Sequence, residues 1–208
     1  MNIKCDNVFI TFEGIDGSGK STQIEKLRER LEKNGAVVDV YRDPGGPIVS
    51  EQIRELLLNP EFKIDPITEL LLFSASRSQL MAEKVLPGLK EGKVIILDRF
   101  FDSTTAYQGY GRESVSLQEI QKINAIASHK RKPDLTIYMK LSLTDAKKRM
   151  AKTKDRMEQS GDDFFEKVIA GYNKLAAEEE RFFTADATEP MDKVHEQIWR
   201  YVSERYSS

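Results

Sequence analysis

Hydrophobic positions along the chain follow two periodicities that alternate from one end to the other. Short apolar runs rich in β-branched and aromatic residues predict strands. They lie at residues 8–12, 37–41, 94–97, 135–141 and 182–185. Apolar residues three and four positions apart predict helices between these strands. The helices lie at residues 21–34, 49–59, 66–90, 117–128, 143–152, 164–180 and 192–205.

The alternation of strands and helices predicts the architecture. It indicates an α/β fold in which a five-stranded parallel sheet carries helices on both faces. Ligands of such a sheet bind beyond the carboxyl ends of its strands. With 208 residues, the chain fits one domain that spans residues 1–208.

The charge pattern narrows the classes of partner. Acidic and basic residues are interspersed and the net charge is −2, so we expect no nucleic acid to bind. No apolar run is long enough to span a membrane, and the first residues lack a signal-peptide pattern. The single Cys5 suits a reducing compartment. These features predict a cytoplasmic protein without a membrane partner.

Residues 14–21 read Gly-Ile-Asp-Gly-Ser-Gly-Lys-Ser and fill every fixed position of the P-loop pattern. Backbone N–H groups of such a loop bind a polyphosphate, its lysine reaches the β- and γ-phosphates, and its serine hydroxyl binds Mg²⁺. The alternative is a glycine-rich turn without a ligand, which the strand–loop–helix order disfavours. We predict that ATP contacts nine residues here: Gly14, Ile15, Asp16, Gly17, Ser18, Gly19, Lys20, Ser21 and Thr22.

Polar residues also follow the second and third predicted strands. Asp98 and Arg99 end the third strand, where an acid can hold Mg²⁺ and a guanidinium can bind phosphate. Arg42 and Pro44 belong to a turn after the second strand, and Arg42 is suited to a second phosphate group. The alternatives are a surface pair at 98–99 and a plain turn at 42–46. Because these strand ends meet at one edge, we expect a shared pocket.

Three further segments suggest binding chemistry. Phe73 and Arg77 lie four apart on a predicted helix and share a face that could bind a planar base. The alternative is a core phenylalanine beside an arginine whose charge reaches solvent. Residues 102–112 mix hydroxyls, an amide, tyrosines and glycines, which is typical of a binding loop. Residues 149–161 are rich in cations and predict either a mobile lid over ATP or a solvated helix end.

Together these motifs resemble the thymidylate kinase family over nearly the whole chain. Residues 12–22 are similar to its P-loop, residues 72–77 to its base-binding helix and residues 98–100 to its Asp-Arg-aromatic motif. Residues 103–109 (Ser-Thr-Thr-Ala-Tyr-Gln-Gly) form the most specific match, and residues 132–138 resemble the entry to its fourth strand. The resemblance implies a three-layer fold like that of P-loop nucleoside-monophosphate kinases. It also implies a homodimer that transfers the γ-phosphoryl group of ATP to dTMP with Mg²⁺.

The resemblance implies roles for the matching residues. Arg42 and Arg99 would hold the dTMP phosphate, and Asp16 would accept from the sugar 3′-hydroxyl. Phe73 would stack on thymine, and Tyr107 would disfavour a ribose 2′-hydroxyl. The implied dTMP contacts are Asp16, Arg42, Pro44, Phe73, Arg77, Arg99, Ser103, Tyr107 and Gln108. The implied catalytic residues are Lys20, Asp98, Arg99 and Arg156, with Ser21 and Asp98 on the metal and Arg149 beside adenine.

The P-loop has Gly17 where one subtype of the family carries a basic residue, so the resemblance implies the bacterial type, whose catalytic cation lies in the lid. The lid at 149–161 offers Lys152, Lys154 and Arg156, of which Arg156 is preferred because its guanidinium binds phosphate bidentately. Asp43 replaces the family's usual glutamate, and a proline at 47 replaces its threonine. Another nucleoside-monophosphate kinase, or a P-loop NTPase that is not a kinase, remains the alternative.

Overall fold

Five parallel strands form the centre of the computed structural model, which describes residues 6–149, 156–157 and 160–206. The strands are β1 (Phe9–Glu13), β2 (Val38–Arg42), β3 (Val94–Asp98), β4 (Leu135–Lys140) and β5 (Phe182–Asp186). Their spatial order is β2-β3-β1-β4-β5, and every neighbouring pair is parallel. All five predicted strands are confirmed, each to within one residue at its ends.

Side chains of the central strand β1 pack on both faces of the sheet. Phe9 belongs to one buried cluster with Leu80, whereas Ile10 and Phe12 belong to a second cluster with Leu27. All five residues of β1 are buried, which explains its unbroken apolar run, since strands covered on both faces do not alternate. The loop that follows this strand therefore starts from a fixed point.

Nine α-helices lie within the described ranges. They are α1 (Lys20–Lys33), α2 (Ile48–Leu58), α3 (Pro66–Leu80), α4 (Leu86–Lys90), α5 (Phe101–Thr104), α6 (Leu117–Ala127), α7 (Leu143–Arg149), α8 (Asp162–Glu178) and α9 (Met191–Tyr206). The helix predicted at 66–90 contains a π-helical turn at Met81–Val85 between α3 and α4. The predicted end of α7 at 150–152 lies outside the described residues. No helix in the described ranges is long and apolar enough to cross a membrane.

The segment predicted as a loop at 102–112 is helical, and this prediction is wrong. Helix α5 continues into a π-helical segment at Thr105–Gly111 that packs against α8. A Cβ atom at Gly171 of α8 would lie 2.6 Å from Cδ2 of Tyr110, so the absence of a side chain there permits the close approach. Hydroxyls and glycines lower the local helix propensity, but tertiary packing outweighs it here.

Candidate active site

The P-loop connects β1 to α1 and folds around the side chain of Lys20. Gly14 has φ 133°, and a Cβ atom there would lie 2.7 Å from the carbonyl oxygen of Met139. Lys20 Nζ donates to the carbonyl oxygens of Gly14 (3.0 Å) and Ile15 (3.2 Å). A P-loop lysine reaches bound phosphates, yet Lys20 is only 6% exposed here. Burial, together with nearby Arg99, lowers the pKa of this ammonium group.

Ser21, the last residue of the P-loop, and Asp98 bring two oxygen-bearing side chains together at one place. Ser21 Oγ lies 3.4 Å from Asp98 Oδ2, and Asp98 Oδ1 is buried without a hydrogen-bond partner among the described residues. An unpaired carboxylate oxygen beside a hydroxyl fits Mg²⁺, which takes oxygen ligands and keeps part of its coordination for phosphates and water. No group of three or more His, Cys, Asp or Glu side chains that could hold a metal ion occurs among the described residues.

Arg99 directly follows β3 and extends its guanidinium over the P-loop. Its backbone has φ 70°, an uncommon conformation for a residue with a side chain. Arg99 Nη2 donates to Asp16 Oδ1 at 2.8 Å, and Nη1 lies 3.3 Å from Ser103 Oγ. Burial alone raises the pKa of Asp16, but Arg99 and Lys20 outweigh it and lower that pKa to about 2. Asp16 is therefore an anion between two cations.

The side chain of Glu13 supports the turn that carries Arg99, and the sequence analysis did not identify Glu13 as a site residue. Its buried carboxylate accepts from the backbone N–H of Phe100 (2.8 Å), from Ser103 Oγ (2.5 Å) and from the hydroxyl of Tyr172 (3.0 Å). Burial, followed by the charge of Asp102, raises the pKa of Glu13 to about 7. The sequence feature that could have identified this residue is a glutamate directly after the apolar run at 8–12.

A cavity of about 100 Å³ lies beyond Arg99, away from the P-loop. It brings together most of the residues expected to contact a nucleoside monophosphate. Thirteen residues line it: Asp16, Asp43, Pro44, Arg54, Leu58, Phe73, Arg77, Arg99, Ser103, Thr104, Tyr107, Gln108 and Met157. Phe73 is half-buried in this wall, while Leu58, Arg54 and Met157 carried no local sequence signal.

Arg77 is fully buried in the cavity wall, which excludes the alternative of a charge that reaches solvent. Its Nε donates to Asp43 Oδ2 at 2.5 Å. Its Nη2 donates to Thr104 Oγ1 at 2.8 Å and lies 3.4 Å from the Phe100 carbonyl oxygen, and Nη1 lies 3.3 Å from Asn124 Oδ1. A guanidinium has five N–H donors, so four contacts leave one donor for a ligand.

Gln108 lines the same cavity and is tied to a buried carboxylate behind it. Gln108 Nε2 donates to Glu69 Oε1 at 3.0 Å, and Arg112 Nε lies 3.3 Å from the same oxygen. Arg156 Nη1 donates to Glu69 Oε2 at 2.6 Å, and its Nε donates to the Leu57 carbonyl oxygen at 2.7 Å. Glu69 therefore joins Arg156 to the cavity wall.

A second cavity of about 360 Å³ lies along the P-loop. It shares Asp16, Asp43, Arg54 and Arg99 with the first cavity, so the two meet at these side chains. Its other lining residues are Gly17, Gly19, Lys20, Ser21, Thr22, Arg42, Asp98 and Arg149. Among them, Arg42 donates to Glu51 Oε2 at 2.8 Å and Arg149 to the Ala187 carbonyl oxygen at 2.9 Å.

The lid cations are the part of the expected site that is not gathered around the P-loop. Arg156 lies at the Glu69 end of the cleft rather than beside Lys20. Lys152 and Lys154 lie outside the described residues. Pro44 and Ser103 line the first cavity, as expected.

The P-loop follows the central strand of a parallel sheet with the order β2-β3-β1-β4-β5, and its cavity opens onto the smaller cavity. This arrangement defines the class of P-loop kinases that resemble nucleoside-monophosphate kinases. The family model described as Thymidylate kinase matches residues 12–198, and this chain belongs to that family. The predicted family and fold class are thereby confirmed.

Relatives match along almost their whole length. A thymidylate kinase of Chlorobaculum parvum is 49% identical over 203 residues, covering 92% of this chain and 93% of the relative. One of Prosthecochloris aestuarii is 45% identical over 213 residues, with 97% and 95% covered. The crystal structure of thymidylate kinase from Ehrlichia chaffeensis superposes with a TM-score of 0.78 at 30% identity, covering 95% of this chain and 99% of that one.

Proposed function

We propose that this chain transfers the γ-phosphoryl group of ATP to dTMP, giving ADP and dTDP. One observation carries the proposal: the P-loop cavity and the smaller cavity share Asp16 and Arg99. A donor polyphosphate in the P-loop cavity and an acceptor nucleotide in the smaller cavity would therefore meet at the guanidinium of Arg99. The order of the motifs and the family membership support the same reaction.

The donor side consists of the P-loop and Arg149. Among the described residues, the partners of Lys20 are two carbonyl oxygens and the Asp16 carboxylate at 3.8 Å, so a β- or γ-phosphate oxygen is a stronger partner for its ammonium. Ser21 and Asp98 would hold Mg²⁺, which neutralises charge on the transferred group when bound. Arg149 would flank the adenine.

The acceptor side has phosphate cations at one end and base readers at the other. Arg42, Arg54 and Arg99 surround the junction of the cavities and would bind the dTMP phosphate. Phe73 would stack on the thymine ring. The remaining donor of Arg77 suits the O4 carbonyl of thymine, and Gln108 suits its N3–H edge.

The reaction needs alignment and charge neutralisation more than proton transfer. A phosphate oxygen of dTMP is already an anionic nucleophile, so no side chain has to act as a strong base. Lys20 and Arg99 would neutralise the charge on the moving phosphoryl group and keep donor and acceptor in line. A closed lid would exclude water and so limit hydrolysis of ATP.

The lid segment 149–161 would add a further cation, as in the bacterial type of the family. Arg156 is our proposed cation, and the contact with Glu69 must then open during the catalytic cycle. Lys152 and Lys154 are the competing candidates. We further propose a single cytoplasmic domain that acts as a homodimer. Exposed apolar side chains on α2 and α3, namely Leu56, Ile67 and Leu71, support a contact with a second copy.

The proposed function is tested by measuring ADP release with a coupled assay. We expect turnover with dTMP, weaker turnover with dUMP and very weak turnover with dCMP or dGMP, because one methyl group in an apolar pocket changes specificity by only ~1–3 kcal/mol. A larger kcat/KM with dCMP or dGMP would favour another monophosphate kinase. ADP release that is independent of any monophosphate would favour an NTPase that is not a kinase.

A further inference from the structure

Glu69 is a buried acid on α3 that belongs to neither cavity wall. It is 1% exposed and stands behind Gln108, which does line the smaller cavity. One carboxylate oxygen accepts from Gln108 and Arg112, and the other accepts from Arg156. Burying a carboxylate is unfavourable unless it is fully paired, and here Gln108, Arg112 and Arg156 provide that pairing.

The carboxylate decides which end of the Gln108 amide faces the cavity. A side-chain amide has an NH₂ end that donates and an oxygen end that accepts. Beside a carboxylate, which only accepts, the amide must present its NH₂ end, and Nε2 donates to Glu69 at 3.0 Å. The acceptor Oε1 is left for a ligand, and no donor among the described residues takes it.

Two arginines prevent the carboxylate itself from turning. Arg112 Nε lies 3.3 Å from Oε1, and its guanidinium stacks 4.4 Å from the ring centroid of Phe164. Arg156 holds Oε2 from the other side and is itself tied to the Leu57 carbonyl oxygen. When Arg156 moves during the catalytic cycle, Arg112 still holds Oε1, the oxygen that accepts from Gln108, so the anion imposes the orientation of Gln108 independently of the ligand.

We infer that Glu69 is a specificity-positioning residue, which fixes the Gln108 amide so that the cavity selects pyrimidines with an N3–H donor and rejects cytosine. This inference rests on the proposed function, because it assigns the base selectivity of that site. Thymine and uracil donate from N3, whereas cytosine has an acceptor nitrogen there and an amino donor beside it. With cytosine, the acceptor nitrogen N3 would face the acceptor Oε1 of Gln108. Polar groups that are left unpaired in this way cause strong rejection of a ligand.

The test is Glu69→Gln, measured as kcat/KM for dTMP, dUMP and dCMP. A neutral amide at 69 can pair with either end of Gln108, so the dTMP/dCMP ratio should fall by about tenfold or more. The dTMP/dUMP ratio should stay within about twofold, because it reports the methyl pocket and not the N3 edge. Loosened packing alone would lower both ratios together, and that result would overturn the inference.

A double-variant comparison shows whether Glu69 acts on base selectivity through Gln108 or by another route. In a Gln108→Ala background, Glu69→Gln should leave the dTMP/dCMP ratio unchanged, and a further fall there would overturn the inference. If Glu69→Gln does not fold, Glu69→Asp keeps the negative charge but withdraws it by one methylene from Oε1's partners, Gln108 and Arg112, and it should lower the same ratio. An unchanged ratio in a folded, active variant overturns this inference alone. A wild-type chain without dTMP kinase activity overturns the proposed function as well.

Discussion

The two ends of the cleft contain similar charged groups but satisfy them differently. At the P-loop end, Lys20 donates to two backbone carbonyl oxygens and lies 3.8 Å from Asp16 Oδ1, and one oxygen of Asp98 has no partner in the described part of the chain. At the nucleobase end, Arg77 is paired with Asp43, and Glu69 is paired from two sides. The charged groups of the first end are left largely for a ligand, whereas the charged groups of the second end are paired with each other within the protein.

This difference separates the expected effects of substitution. Removing an under-paired charge at the P-loop end should lower the rate without lowering the stability. Removing one member of a buried pair at the nucleobase end leaves an uncompensated charge and should lower the stability.

Lys20→Met should lower kcat by about 1000-fold, because it removes the ammonium that stabilises charge on the transferred phosphoryl group. The melting temperature should be unchanged or higher, since the variant no longer buries a poorly paired cation. Steady-state kinetics and calorimetry on the same preparation provide both numbers. Loss of activity together with a marked fall in melting temperature would contradict the contrast.

Arg77→Met should reduce the free energy of unfolding by about 3–5 kcal/mol, because the buried Asp43 carboxylate loses its partner. Urea denaturation measures the change. The matched control is the double variant Asp43→Asn with Arg77→Met, which removes both charges and should recover part of the loss. Equal stability of the single and double variants would show that an unpaired Asp43 carboxylate is not the cause of the lost stability.

Arg156→Ala should lower kcat by about 100-fold if its guanidinium is the lid cation. The effect on KM for dTMP should be smaller. Lys152→Ala and Lys154→Ala are the matched comparisons, and the lysine that reproduces this loss would replace Arg156 in the mechanism. A change confined to dTMP affinity and base selectivity would instead make Arg156 only a partner of Glu69.

Tyr107→Ala should lower the preference for a deoxyribonucleotide over the matching ribonucleotide by about tenfold. The expected cause is the loss of a ring that lines the acceptor cavity and stacks below Arg99, 5.2 Å from its guanidinium carbon. Tyr107→Phe keeps the ring and should retain the preference. The readout is the ratio of kcat/KM for dUMP and UMP, and an unchanged ratio in the alanine variant would assign Tyr107 to packing.

Glu13 should make stability depend on pH. Burial raises its pKa from 4.5 to about 7, so the folded chain keeps a proton that the unfolded chain releases. The resulting stability is complete below pH 4.5 and is lost as the pH rises through about 7. Glu13→Gln stays neutral, so its melting temperature relative to wild type should rise between pH 5 and pH 8. If the melting temperatures of wild type and Glu13→Gln change in parallel with pH, the raised pKa of Glu13 is contradicted.

The sequence predicts the P-loop end well because its signals are local. The Lys20 loop follows an apolar strand directly, and Asp98 and Arg99 end another strand, so topology alone brings them together. The nucleobase end depends on contacts between distant positions. Arg77 pairs with Asp43 across 34 positions and Gln108 with Glu69 across 39, and no periodicity indicates such partners.

The burial of Lys20 illustrates the same limit. A P-loop lysine is read from sequence as a ligand contact, yet here it turns back onto the carbonyl oxygens of Gly14 and Ile15. The helical state of residues 101–111 was missed for a related reason. It depends on the close packing of Tyr110 against Gly171, 61 positions later in the chain, which local propensity does not register.

The π-helical segment at Thr105–Gly111 also sets how the site responds to changes in chain length. Its hydrogen bonds span one more residue than those of an α-helix, so deleting a single residue such as Ala106 would favour an ordinary α-helix. A π-helical turn accommodates one residue more than an α-helical turn, so residues after the segment would keep much of their orientation while those inside it would shift. Tyr107 and Gln108 lie inside the segment, and their positions relative to Thr104 and the cavity would change. If these two side chains select the nucleotide as proposed, a one-codon deletion here would change that selection, a kind of variation that substitution scans never sample.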